Sequence, residues 1–350
     1  WSGLATGPWT LMIARFIGGL GVGASTIAAP LYISEISPPK SRGKLTALFQ
    51  FNVVLGVSIA VFSNQALAGI GANAWRWMLG VEAIPAFIFL CLCFLLTESP
   101  RWLIVHLHDS AAGTAVLRKV NPKAGEAELT QLVGEINASV GDPSVKRGPF
   151  FTRALWKPIM LAFCVAFFNQ MSGINAIWYF AKRIFMMAGA NDATALAQVS
   201  RLSVVNFFAT FLGLWLIDRL GRKTLLLIGG IAYVISLSAC SISFYTAHFA
   251  AAPFCLFAFM FAHAVGQGTV IWVLISEVFP NAYRASGQAL GSGTHWVMAA
   301  LITLFFPTMA KALQPGTIFA IFCGMMVLHL LWVIFLVPET KGKKLEEITL

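Results

Sequence analysis

Nine stretches of the chain run for about 20 residues or more with almost no charge, at roughly 9 to 34, 45 to 68, 77 to 96, 156 to 180, 199 to 217, 224 to 246, 252 to 276, 286 to 310 and 316 to 337. A helix of that length crosses the apolar core of a bilayer. The runs are continuous rather than alternating, so they predict helices and not barrel strands, because a helix satisfies its own backbone in lipid. One long polar region, 98 to 154, separates the first three runs from the last six. Inside it, the alternation from Gly125 to Ile136 predicts short amphipathic helices. The pattern therefore predicts an all-α polytopic membrane protein. Its expected parts are a helical bundle over 1–97, an interdomain loop over 98–154, a six-helix bundle over 155–337 and a tail over 338–350.

Composition agrees with this and excludes a soluble domain: 58% of the 350 residues are hydrophobic, 11% are charged and the mean hydropathy is +0.78. The net charge of +10 reflects topology. With nine spans, 18 of the 24 Lys and Arg residues fall in turns on one face, from Lys40 and Lys44 through Arg118, Lys119 and Arg153 to Lys343 and Lys344. Basic residues collect on the cytoplasmic side, so that face is expected to be cytoplasmic, with Trp1 outside and Leu350 inside. No basic patch interleaved with aromatics points to nucleic acid. The six cysteines all lie within apolar runs and have neither disulfide nor metal spacing. The six histidines are scattered, and no Ser/His/Asp constellation is evident. The chain is thus expected to be no enzyme and to carry no cofactor or metal.

Two charged signatures repeat. Glu35 and Arg42 recur as Glu277 and Arg284, 242 positions on (277 − 35), and Glu98 recurs as Glu339, 241 positions on (339 − 98). Each sits where an apolar run ends, so the repeating unit is a bundle of membrane helices, and parallel repeats of this kind mark transporters. The counterpart of Asp218-Arg219-Leu220-Gly221-Arg222-Lys223 would fall before Trp1, so the chain is expected to begin inside its first repeat. Carboxylates and guanidiniums at these helix ends can pair bidentately and with helix termini, forming a latch. Solvated topology markers are the plainer alternative.

Several of these residues stand in motifs that resemble the sugar porter family of the major facilitator superfamily. They are Arg15-Phe16-Ile17-Gly18-Gly19, Pro30-Leu31-Tyr32 leading to Glu35 and Arg42-Gly43, Glu98-Ser99-Pro100-Arg101-Trp102, Gln170-Met171-Ser172-Gly173-Ile174-Asn175, Asp218 to Lys223, Glu277-Val278-Phe279-Pro280 with Arg284, and Pro338 to Gly342. The resemblance implies a major facilitator fold whose nine spans correspond to the family's fourth through twelfth. It also implies alternating-access transport of a hexose or similar monosaccharide, with proton symport favoured over passive facilitation. A non-transporting sugar sensor and an inactive fragment are the alternatives from another class. The partners implied are a sugar, protons and the bilayer, with the protein a monomer. By the same resemblance Glu35, Arg42, Glu98, Arg101, Asp218, Arg219, Arg222, Glu277, Arg284 and Glu339 form a cytoplasmic gate.

Polar side chains inside spans are costly and so are candidate contacts. A sugar needs amides and hydroxyls for its own hydroxyls and aromatic rings for its CH faces. Residues that resemble the family's sugar contacts are Gln50, Asn169, Gln170, Asn175, Tyr179, Asn206, Trp272 and Trp296, and His295 stands where members vary between Gln and Asn. On one continuous helix Gln170, Asn175 and Tyr179 would share a cavity-facing side. Hydrogen bonding between helices is the alternative for the amides, and packing is the alternative for the tryptophans and for His295. Thr269 and Ile271 stand where many members have prolines. Arg15 needs a partner within the membrane. In proton-coupled members that partner is an aspartate on the first helix, which the resemblance places upstream of this chain.

Overall fold

The computed structural model describes residues 1–37, 42–122, 124–138, 148–280 and 283–340, apart from the side chains of Ser34, Arg42, Gly43, Lys44, Thr46 and Ala47. Among the described residues there are nine helices or helix pairs long and apolar enough to cross a membrane. They are built from α1 (Pro8–Ile36), α2 (Arg42–Leu67), α3 (Ala74–Gly80) with α4 (Ala83–Cys93), α8 (Trp156–Met171) with α9 (Ile174–Met187), α10 (Asp192–Leu220), α11 (Arg222–Tyr245), α12 (Ala252–Val265) with α13 (Gln267–Glu277), α14 (Arg284–Ala312) and α15 (Pro315–Leu336). Between the third and fourth spans lie the short helices α5 (Pro100–Val105), α6 (Ser110–Val120) and α7 (Glu126–Ala138). Ile104, Leu117 and Leu129, one from each, bury together.

The chain divides into two compact units, one of residues 1–52 and 66–149, the other of residues 53–65 and 150–350. Three spans that read as unbroken in the sequence are interrupted, and two of the interruptions are explained by close contacts with other helices. After Met171, Gly173 takes φ +82, and a Cβ there would run into the Phe322 ring at 2.5 Å, so only glycine serves. Ser172 bridges the gap: its hydroxyl donates to the Asn169 carbonyl at 2.6 Å and accepts from the Ile174 amide at 3.3 Å. At Gly266 the backbone of α12 and α13 approaches α11 closely, since a Cβ on Gly229 would lie 2.8 Å from Gly266 Cα. There Thr269 Oγ1 donates to the Ala264 carbonyl at 2.6 Å, satisfying an acceptor that the break frees. The third interruption falls at Val81 and Glu82, between α3 and α4.

In the second unit the breaks organise the core. One apolar cluster joins α8 and α13 to α11 through Ala162, Val165, Leu225, Leu226, Leu274 and Ile275. The other joins α9 and α12 to α11 and α15 through Ile177, Phe185, Leu237, Phe259, Phe322 and Met326. Phe168 packs against both. The polar residues next to the breaks therefore sit at the seam between two apolar masses. Large apolar side chains such as Phe87, Phe94, Phe208 and Phe335 are exposed, as lipid contact allows.

Candidate functional site: a buried amide and histidine cluster with charged latches

Gln170, the penultimate residue of α8, is fully buried. Its Nε2 donates to Asn169 Oδ1 at 3.1 Å and lies 3.2 Å from Nδ1 and 3.3 Å from Nε2 of His295 on α14. An amide has two N–H groups, so Asn169 takes one, and one ring nitrogen of a neutral His295 takes the other. The second nitrogen of His295 then carries a proton and can donate. Gln170 Oε1 is buried without a hydrogen-bond partner. Trp272 of α13 stands 5.0 Å from the His295 ring, and Trp296 stands 5.2 Å from it at nearly a right angle. The fold thus brings Asn169, Gln170, His295, Trp272 and Trp296 together from three helices. The group offers one free acceptor, one donor and two indole faces, which is the complement of a polyhydroxylated ring.

The other expected contacts are placed differently. Asn175 is half-buried in the first turn of α9, and Tyr179, one turn on, is 61% exposed. Because the helix breaks at Ser172 and Gly173, Gln170 and Asn175 do not share one continuous helix as the sequence reading assumed. Asn206 is buried on α10, in a polar row with Ser200, Ser203 and Thr210. Ser203 donates to Ser58 Oγ at 3.1 Å and Ser200 donates to Gln65 Oε1, so part of that row joins helices within the unit. Gln50 is half-buried on α2 in the first unit.

The sequence reading missed three further polar groups. Gln267 is fully buried beside the Gly266 break with neither amide atom bonded, and Gln288 Oε1 and Ser292 Oγ are likewise buried and unpartnered. Gln288, Ser292 and His295 recur at i, i+4 and i+7, so they share one face of α14. That spacing was visible in the sequence. An unpaired buried polar atom costs about 1–3 kcal/mol, so each of these atoms is a position that a hydroxyl-bearing ligand reaching it can satisfy.

In the first unit Arg15 has a partner in this chain. Its Nη1 lies 3.2 Å from Oε2 of Glu82, at the break between α3 and α4. Glu82 was overlooked although it is an acid set between two apolar stretches. A carboxylate at membrane depth is rare and tends to be functional.

The charged helix ends of the second unit form one connected network. Arg222 grips Glu277 bidentately, Nε to Oε2 at 3.0 Å and Nη2 to Oε1 at 2.7 Å, and its Nη1 reaches Asp218 at 3.3 Å. The Arg222 side chain is only 12% exposed. Glu339 accepts from the backbone amides of Arg222 at 3.0 Å and Lys223 at 3.1 Å, so it sits on the positive end of α11. Arg219 stacks on Trp215 at 3.9 Å, and Arg284 is also partnered. In the first unit Ser99 donates to Glu35 at 2.6 Å, Tyr32 donates to the Thr97 carbonyl at 2.6 Å, Arg101 is partnered and Glu98 is exposed. The Arg42 side chain and residues 341–350, which hold Lys341 and Gly342 and most of the expected tail, lie outside the described residues.

Nine apolar spans, broken helices with polar groups at the breaks and paired charges at the helix ends define a multi-pass membrane transporter. Residues 1–350 match the Sugar (and other) transporter family. The chain is 34% identical to the D-xylose-proton symporter of Escherichia coli (strain K12), covering 96% of this chain and 70% of that protein. It is 33% identical to the Glucose transporter GlcP of Staphylococcus epidermidis, covering 97% of this chain and 75% of that protein. Among solved structures, the xylose transporter XylE from E. coli in a partially occluded inward-open conformation is similar, with a TM-score of 0.82 at 32% identity over 96% of this chain and 72% of that one. The chain belongs to the sugar porter family of the major facilitator superfamily.

Proposed function

We propose that the protein carries a monosaccharide across the membrane by alternating access, in symport with protons. The observation that carries the sugar reading is the buried amide of Gln170, which has a free acceptor and bonds the His295 ring, itself 5.0 Å from Trp272 and 5.2 Å from Trp296. Asn169, Gln170 and His295 bond the sugar hydroxyls, and the two indoles cover its CH faces. Asn175, Asn206 and Tyr179 add further contacts in the second unit, and Gln50 is a candidate contact of the first. Relatives with comparable identity include an Arabinose-proton symporter of Bacillus subtilis and a Galactose-proton symporter of Escherichia coli, which favours a pentose or hexose and a proton.

Proton coupling is assigned to Arg15 and Glu82. Arg15 Nη1 lies 3.2 Å from Glu82 Oε2, and an ion pair within membrane spans is a candidate for coupling. Arg222, Glu277, Asp218, Arg219, Arg284 and Glu339, with Glu35, Arg42, Glu98 and Arg101, form the cytoplasmic gate, whose bonds break when the cytoplasmic side opens. The C-terminus lies in the cytoplasm and the protein acts as a monomer. Residues 1–97 and 155–337 serve as two helical bundles, joined by the loop over 98–154.

The test is uptake of labelled xylose and glucose, with and without a protonophore, in cells that lack their own sugar transporters. Accumulation that the protonophore stops is the expected result. Uptake that equilibrates but never accumulates sinks the symport reading and leaves a passive carrier. Binding of sugar without any uptake points to the sensor.

A further inference from the structure

The face of α14 that carries His295 holds two more polar groups whose bonds are missing. Ser292 and Gln288 stand three and seven residues before His295, about 4.5 Å and 10.5 Å along the helix, and all three fall within an arc of about 60°. Both side chains are buried, and neither Gln288 Oε1 nor Ser292 Oγ has a hydrogen-bond partner among the described residues. Arg284, one turn before Gln288, is the first residue of α14 and belongs to its charged end. The row therefore runs from the cluster of Gln170 and His295 to the charged end of the helix.

Two ordinary roles fail for this row. A serine or threonine inside a helix commonly donates to the carbonyl three or four residues earlier. Ser58, Thr210 and Thr303 do so, to the carbonyls of Val54 at 3.0 Å, Asn206 at 2.8 Å and Ala299 at 2.7 Å. Ser292 forgoes the same bond to Gln288. Polar groups between membrane helices commonly bond across the interface, and these two atoms do not, although α14 packs on α8 and α13. Contact with the α13 side is carried by glycine instead. A Cβ on Gly291 would stand 2.5 Å from Ile275 Cδ1, and one on Gly287 would collide with the Phe279 ring. Leucine and alanine at 288 and 292 would fill the same interface without burying an unpaired polar atom.

We propose that Gln288 and Ser292 form a second sugar subsite, which a monosaccharide occupies between the cluster of Gln170 and His295 and the charged helix ends. This rests on the sugar-transport reading above and extends it to the path of the substrate. The Gln288 amide oxygen accepts from a sugar hydroxyl, and the Ser292 hydroxyl rotates to donate or accept. A hydroxyl that leaves Gln170 or His295 then finds a partner on the same helix face and does not cross an apolar stretch unbonded. The row is closed in this structure, with Ile275 and Phe279 beside it. Those two residues flank Glu277, the end of α13, which Arg222 holds at 3.0 and 2.7 Å. Release of Glu277 frees that end of α13 and opens the row.

The experiment compares wild type with Gln288→Leu, Ser292→Ala, Ser292→Thr and the double variant Gln288→Leu/Ser292→Ala. Uptake of labelled sugar into proteoliposomes gives the maximal rate, tryptophan fluorescence of the purified protein gives the Kd for sugar, and thermal unfolding gives the midpoint. Gln288→Leu and Ser292→Ala should each lower the maximal rate about fivefold while Kd stays within about twofold. Their midpoints should be unchanged or higher, because each removes an unpaired polar atom from the packed state. Ser292→Thr keeps the hydroxyl and should keep most of the rate. A rate that falls only in step with the midpoint overturns the subsite, since the row would then serve packing. A Kd that weakens in step with the rate also overturns it, since both residues would then belong to the cluster at Gln170. If wild type moves none of the sugars tried, the transport reading is what fails. A transporting wild type beside an unimpaired double variant overturns the subsite alone.

Discussion

Arg222 holds Glu277 through two parallel N–H donors, at 3.0 and 2.7 Å, and the side chain doing so is 12% exposed. Around that pair the internal repeat becomes a repeat of bonds. Thr340 donates to Oε2 of Glu277 at 2.7 Å, and Ser99, 241 positions earlier (340 − 99), donates to Oε2 of Glu35 at 2.6 Å. Each unit fastens the carboxylate at the end of one helix to a hydroxyl at the end of another. A carboxylate held by a guanidinium, a hydroxyl and a neighbouring helix end suits a latch that opens and closes, because each bond is charge-assisted yet reachable by water.

Arg222→Lys should test whether the bidentate geometry matters and not merely the charge. A lysine offers a point charge that cannot hold both carboxylate oxygens in the same way. The expected outcome is an uptake rate lower by about tenfold with sugar Kd within about twofold, measured by transport and by fluorescence titration. Equal loss of binding and rate would instead indicate a misfolded bundle.

Gly221 occupies φ +89 and ψ 167, a region open almost only to glycine, and a Cβ there would stand 2.5 Å from Glu339 Oε2. Gly221→Ala should therefore strain the turn and displace Glu339 from the start of α11, costing about 1–3 kcal/mol. Thermal unfolding of the purified protein reads this as a drop of several degrees. An unchanged midpoint would show that the turn can relax.

Gln170→Ala removes the free acceptor and the amide that orients His295. Sugar affinity should fall about 10- to 100-fold, with membrane insertion and expression unchanged. Gln170→Glu keeps the shape but loses the N–H groups given to Asn169 and His295, so it should bind poorly as well. Normal affinity in both variants would move the sugar site elsewhere.

Glu82→Gln keeps the size of the Arg15 partner and removes its charge. Proton-driven accumulation should disappear while sugar-for-sugar exchange persists. Retained accumulation against a gradient would remove Glu82 from the coupling.

How far the sequence could be read differs from one element to another. The spans over 222–245, 284–312 and 315–336 are legible to within a few residues because unbroken apolar length is a local property. The interruptions were not, because Ser172-Gly173 and Gly266 sit inside apolar runs. A break there depends on Phe322 and Gly229 closing against the chain from other helices. Gln170, Trp272, His295 and Trp296 could be chosen one by one from their resemblance to the family's sugar contacts. Their meeting across three helices, with Gln170 bonded to His295 125 positions away, could not. Gln267 and Glu82 were passed over for the same reason, since a lone amide or acid in an apolar run says nothing of what it faces.

By itself the sequence determined that this chain crosses a membrane many times and that its halves repeat one charged design; the sugar reading came from its resemblance to a family. The first two are properties of composition, length and spacing, which act along the chain. Tertiary structure decided where the helices break, that Arg15 pairs with Glu82, that Glu339 caps α11, and which amide is left with a free acceptor. Each of these depends on groups far apart in sequence competing for the same hydrogen bonds in a medium without water, and only packing chooses the winners.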